Sequence, residues 1–153
     1  MVQLVILRGL PASGKTTWAK RWVTEDPRIR ARINRDDLRA MAHNGVHLPP
    51  EKRKRGTENM IIAMERALIR ELLQIGVSVV IDDTNLASFH IDGLKKLTDT
   101  LSHRVEIQII DFRGVPLHRC LERDALRFSE VGPEVIRGMY STMIDEIREE
   151  HKV

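Results

Sequence analysis

Hydrophobic positions along this chain follow two rhythms. Predominantly apolar runs occur at VQLVILR (2–8), VSVVI (77–81) and VEIQII (105–110), each short and rich in β-branched residues. Runs of that kind predict strands of a parallel sheet buried on both faces. A shorter strand is predicted over Ala31 to Asn34. Between the strands the period lengthens. From Lys15 the pattern is helical, with Trp18 and Trp22, and Ala19 and Val23, each four apart, until Pro27 stops it. A brief helix reaches about His43, and Gly45 and Pro49–Pro50 then break the chain. A long helix is predicted over roughly 51 to 75, with Ile61, Met64, Leu68, Leu72 and Ile75 on one face and Gly76 at its end. Further helices are predicted near 88–101, near 116–128 behind Pro116 and near 133–149 behind Pro133. The last carries Ile136, Tyr140, Met143 and Ile147 on one face.

Strands alternating with helices predict a three-layer α/β/α fold around a mostly parallel sheet of four or five strands. No repeat, low-complexity tract or linker interrupts it, so residues 1–153 read as one domain. Ligands of such sheets bind beyond the carboxyl ends of the strands. Three polar turns lie there: residues 9–17 after the first strand, NRDD (34–37) after the second and DDTN (82–85) after the third.

GLPASGKTT (9–17) matches G-x-x-x-x-G-K-[ST] at Gly9, Gly14, Lys15 and Thr16, with Pro11, Ala12 and Ser13 inside the loop and Thr17 after it. The glycines let backbone N–H groups curl around phosphate oxygens, Lys15 reaches the β/γ-phosphates, and the Thr16 hydroxyl ligates Mg²⁺. The helix starting there adds its positive dipole end. Nucleotide binding is therefore expected, with ATP or another NTP and Mg²⁺ as the ligands. A second metal ligand is expected from Asp82 or Asp83 at the end of VSVVI, and periodicity does not choose between them. No asparagine is followed by lysine, which argues against a guanine-reading switch. In the helix over 117–128, Leu117, Leu121 and Phe128 line one face and Arg119, Arg123 and Arg127 the other. Arg119 reads as solvated, whereas Arg123 and Arg127 read as a cationic lid closing over the triphosphate.

In INRDDLRAM (33–41) a carboxylate, Asp36, stands three residues before an arginine, Arg39. A carboxylate can take a hydroxyl proton during phosphoryl transfer, and a guanidinium fork suits an adjacent phosphate. Asp37 reads as a helix cap. Arg28, Arg30, Arg32, Arg35 and Arg39 form an arginine-rich approach, read as an electrostatic track, and Lys52 to Arg55 form a second basic run. The formal net charge of +3 fits a polyanionic partner weakly, and six aromatics in 153 residues leave little base stacking. Trp18 and Trp22 read as core. The single cysteine, Cys120, excludes an internal disulfide and suits a cytosolic setting, and no apolar run approaches membrane-spanning length.

GLPASGKTTWA, INRDDLRAM, IDDTNL, and RDALRF with VIRGMYSTM, in this order from Met1 to about Ile144, resemble the 5′-hydroxyl polynucleotide kinase domain of the phage T4-type end-healing enzymes. The resemblance implies a P-loop kinase fold with a helical lid over about 116–130, and phosphoryl transfer from an NTP to the 5′-OH of DNA or RNA. It implies Lys15, Asp36, Arg39 and Arg127 as catalytic residues: Asp36 the general base, Arg39 on the acceptor phosphate, and Arg127, with Arg123, on the donor phosphates. It places Asp83, Thr84 and Asn85 on the family's D-T-N stretch, with Thr84 and Asn85 toward the acceptor and Thr16 with Asp83 toward the metal. Ala12 stands where relatives often carry glycine. No D-x-D phosphatase signature is present, and in HIDG (90–93) His90 replaces the lysine of a ligase, so a phosphatase or ligase is expected as a separate partner, in the cytoplasm. Two other readings compete: a small-molecule P-loop kinase acting on a sugar, antibiotic or nucleotide-sugar hydroxyl, and a nucleotide-dependent nucleic-acid-binding module.

Overall fold

The computed structural model describes residues 1–128 and 130–152. The elements run β1 (Gln3–Arg8), α1 (Lys15–Glu25), β2 (Arg30–Ile33), α2 (Arg35–Ala42), a 3₁₀ turn (Pro50–Lys52), α3 (Arg55–Gln74), β3 (Ser78–Ile81), α4 (Ser88–Thr98), β4 (Glu106–Asp111), α5 (Leu117–Ala125) and α6 (Pro133–Glu150). The four strands form one sheet in the order β2-β3-β1-β4. Every pairing is parallel: Ile6 stands opposite Ile81 and Ile109, and Ile33 opposite Ile81. Because all strands point one way, their carboxyl ends share an edge, and the turns after β1, β2 and β3 meet there.

β1 and β3 are central and buried, and side chains along each alternate between the two faces. Leu4, Ile6, Val79 and Ile81 pack with Ile61, Ile69 and Leu73 of α3 and with Ile91 and Leu94 of α4. Val5, Leu7 and Val80 pack on the opposite face with Ala19 and Trp22 of α1. Both tryptophans join that second cluster, as expected. A third cluster joins Leu10 and Leu86 to Cys120 of α5 and to Ile136 and Met143 of α6, tying the strand-end loops to the last two helices.

Two boundaries and one buried face depart from the sequence pattern. The long helix begins at Arg55, because Pro49 and Pro50 hold a separate 3₁₀ turn ahead of it. Its buried line is Ile61, Glu65, Ile69 and Leu73, at a strict spacing of four, while Leu68 is 40% and Ile75 72% exposed. The buried face is rotated from the apolar pattern because Glu65 belongs to it. At the other end, α5 stops at Ala125 and leaves Phe128 fully exposed. The cause is Asp124, whose carboxylate accepts the Val131 and Gly132 N–H groups at 2.9–3.0 Å and turns the chain into α6.

Candidate active site

The donor end is built by the turn between β1 and α1. Gly9 passes so close to the β4–α5 connection that a Cβ there would lie 2.8 Å from the Phe112 Cβ, and its N–H donates to the Thr84 carbonyl at 2.9 Å. Gly14 sits at φ +104° as the residue before α1, and Ala12 is left-handed at φ +61°. Lys15 is buried and folds back on the loop, donating to the Gly9 carbonyl (2.9 Å), the Leu10 carbonyl (2.6 Å) and the Ser13 Oγ (3.3 Å). Burial pulls its ammonium down to about 8, against the opposing attraction of Asp82. Thr16 and Thr17 lie in the first turn of α1.

The period of two puts Asp82 and Asp83 on opposite faces of the sheet. Asp82 follows Val80 onto the α1 face and Asp83 follows Ile81 onto the α3 face. Asp82 is thus the acid beside Thr16, Lys15 and Arg32, with Arg32 Nε donating to it at 2.7 Å. Burial raises its carboxyl, and the neighbouring Arg32 and Thr16 oppose the rise. Asp83, expected beside the metal, instead accepts the Arg35 N–H at 3.0 Å and neighbours Glu65, whose Oε2 receives Arg35 Nε at 2.9 Å. Burial and Glu65 push the Asp83 carboxyl well above its ordinary range. Asn85, expected on the acceptor, is turned inward. Its φ of +44° swings the side chain back onto β1, where Nδ2 donates to the Leu7 carbonyl at 2.8 Å. Thr84 contributes its carbonyl to the phosphate loop. Arg8, an arginine ending an apolar strand, locks the same turn by donating to the Asn85 and Leu86 carbonyls at 3.0 and 2.8 Å and to Glu150 of α6 at 2.6 Å.

α2 carries the residues expected to meet the acceptor. Asn34 caps it through the Asp37 N–H at 3.1 Å, so the expected cap role belongs to Asn34; the Asp37 carboxylate pairs with Arg32 at 2.5 Å. Asp36 is largely exposed and accepts Arg39 Nη1 at 2.7 Å. Arg39 is gripped from behind by Glu58 of α3 through two bonds, Nε at 3.1 Å and Nη2 at 2.7 Å. That grip holds the Glu58 carboxyl below its usual range. Glu58 gave no local signal in the sequence. Glu65 did: it interrupts an otherwise apolar line on α3.

On the donor side, Arg123 Nη1 reaches the Ala12 carbonyl at 3.4 Å, and Arg127 stands near enough to Lys15 to oppose its charge. Arg127 pairs with the buried Asp124 at 3.7 Å. Arg119 is exposed, yet it lines a pocket of about 480 Å³ with Phe112, Gly114, Val115, Pro116 and Arg123, directly beyond the phosphate loop.

This fold and loop define a nucleotide-binding P-loop protein of the α/β type. A family model described as an AAA domain matches residues 4–144, and the chain belongs to that family. A protein of Autographa californica nuclear polyhedrosis virus, named as a bifunctional polynucleotide kinase/RNA ligase, is 29% identical over 93% of this chain and 21% of its own length. A chain in the structure of the Pnkp1/Rnl/Hen1 RNA repair complex matches with a TM-score of 0.74 and 25% identity over 97% of this chain and 46% of that one. This chain thus spans about a fifth to a half of those relatives. The Mycobacterium tuberculosis APS kinase CysC, 17% identical over 82% of this chain and 69% of its own with a TM-score of 0.61, shares the fold. Among the described residues no helix is long and apolar enough to cross a membrane.

Proposed function

We propose that the chain transfers the γ-phosphoryl group of ATP, or another NTP, to the 5′-hydroxyl end of DNA or RNA. The observation that carries this reading is the Asp36–Arg39 pair. An exposed carboxylate bonded to a guanidinium at 2.7 Å stands at the same sheet edge as the phosphate loop. A carboxylate for a hydroxyl with a cation for a neighbouring phosphate fits a nucleotide terminus better than a free sugar. The kinase named in the viral relative and the RNA repair complex of the structural relative support the same reading.

The loop N–H groups of residues 9–17 and Lys15 hold the donor phosphates, Lys15 exchanging its loop carbonyls for phosphate oxygens. The residues fit magnesium: the Asp82 Oδ1 is buried with no partner, beside the Thr16 hydroxyl. Thr16 and Asp82 would hold the ion, which when bound neutralises charge on the β- and γ-phosphates. Asp36 accepts the proton of the attacking hydroxyl while Arg39 orients the acceptor phosphate. Arg123 and Arg127 stabilise charge on the group in transit, and Thr84 is assigned to the acceptor. A separate ligase or phosphatase would complete the repair of the ends. The test is incubation with γ-labelled ATP, Mg²⁺ and matched DNA and RNA oligonucleotides bearing 5′-OH or 5′-phosphate ends. Label is expected on the hydroxyl ends alone; nucleotide binding without label on either nucleic acid would reject the reading.

A further inference from the structure

The arginine track expected over residues 28–39 is neutralised in the folded chain. Arg28 pairs with Asp26 at 3.2 Å, and Arg30 with Glu25 at 2.8 Å while lying over the Trp22 ring. Arg32 pairs with Asp82 and Asp37, Arg35 with Glu65, and Arg39 with Glu58 and Asp36. Each of these five cations already has a carboxylate within 3.2 Å. They hold the site together and leave little attraction for a distant polyanion.

The second basic run is built differently. Lys52, Lys54 and Arg55 are exposed, and among the described residues none of them forms an ion pair. Arg53 bonds the Leu48 carbonyl at 2.8 Å, and its charge helps hold the Glu58 carboxyl down. Over EKRKRGTE (51–58) four cations face two acids, and one of those acids, Glu58, is committed to Arg39. The run leads straight to the site. Arg55 opens α3, and Glu58, three residues on and about one helical turn away, grips the arginine beside Asp36.

We propose that Lys52, Lys54 and Arg55 hold backbone phosphates of the acceptor strand beyond its reacting end. This rests on the polynucleotide kinase reading and adds a direction to it: the strand leaves Asp36 over the start of α3 and away from β2. Unpaired surface cations contact phosphates with no sequence preference, and each contact made to a single strand steepens the salt dependence by about 0.7 in log–log slope.

The test compares the full chain with its Lys52→Ala/Lys54→Ala/Arg55→Ala variant, on a nucleoside 3′-monophosphate and on a 5′-OH oligonucleotide, across a salt series. The proposal predicts a higher KM and a salt slope shallower by about 2 for the oligonucleotide, with kcat and mononucleotide kinetics unchanged. A single Lys54→Glu reversal should raise the oligonucleotide KM in the same selective way. Unchanged oligonucleotide KM and slope, or equal losses on both acceptors, would overturn the track and leave the kinase standing. Phosphorylation of neither acceptor by the unaltered chain would overturn both.

Discussion

The donor and acceptor ends of this site are made in opposite ways. At the donor end one contiguous turn supplies the chemistry, mainly through backbone, and its lysine is buried against its own carbonyls. At the proposed acceptor end the chemistry would fall to side chains, the exposed Asp36 and the half-buried Arg39, and the arginines there are positioned by partners far along the chain. Glu58 holds Arg39 and Glu65 holds Arg35, across nineteen and thirty residues. A site carried by backbone needs little support, because the turn that forms it also fixes it. A site carried by long side chains has to be tethered, and here the tethers are acids on α3.

The comparison can be broken most sharply at the lid. Arg127→Ala should lower phosphoryl transfer by about 10³-fold or more with little change in acceptor KM, as expected of a guanidinium stabilising the group in transit. An effect confined to acceptor KM would move Arg127 to the other end. Next come the paired acids. Asp82→Asn should raise the Mg²⁺ needed for half-maximal rate by about 10–100-fold, whereas Asp83→Asn should leave that requirement in place. Reversed results in a magnesium titration would return the metal to the α3 face of β3.

A smaller effect tests the tether. Glu58→Gln should raise acceptor KM by about tenfold, the scale of one charged hydrogen bond, without changing the KM for ATP. The same residue makes a pH prediction. Its folded carboxyl titrates below the ordinary value of 4.5, so its stabilisation is complete above that pH and is lost as pH falls through the lower folded value. Thermal melts from pH 6 to 3 should show a shallower acid limb for Glu58→Gln than for the unaltered chain. The smallest effect belongs to the donor loop. Ala12 is held at φ +61°, where a Cβ is strained. Ala12→Gly should raise Tm by about 1–3 °C, the relief being partly offset by the freedom glycine adds to the unfolded chain. A lower Tm would mean that packing of the Ala12 methyl outweighs its strain.

Most of the fold was legible in the sequence because strand runs, helix periods and the breaks at Pro27 and Gly76 agree with one another. The phosphate loop was legible because its glycines answer to backbone geometry alone. What escaped notice depends on neighbours. Which faces Asp82 and Asp83 take depends on α1 covering the Val80 side of the sheet. Asn85 turned inward because a left-handed turn returns it to Leu7, a contact between strands that local pattern does not encode. The arginines of 28–39 read as a free basic surface because three of their partners, Glu58, Glu65 and Asp82, lie far along the chain and become neighbours only on folding. Glu65 alone left a trace, as a charge within an apolar line.

The proposed 5′-kinase activity depends most on Asp36 as the base for the acceptor hydroxyl. The most direct measurement is single-turnover label transfer from ATP to a 5′-OH oligonucleotide by the unaltered chain and by Asp36→Asn, with ATP affinity measured alongside. Transfer in the variant should slow by about 10²–10⁴-fold with ATP affinity unchanged. Transfer at the original rate in Asp36→Asn would contradict it.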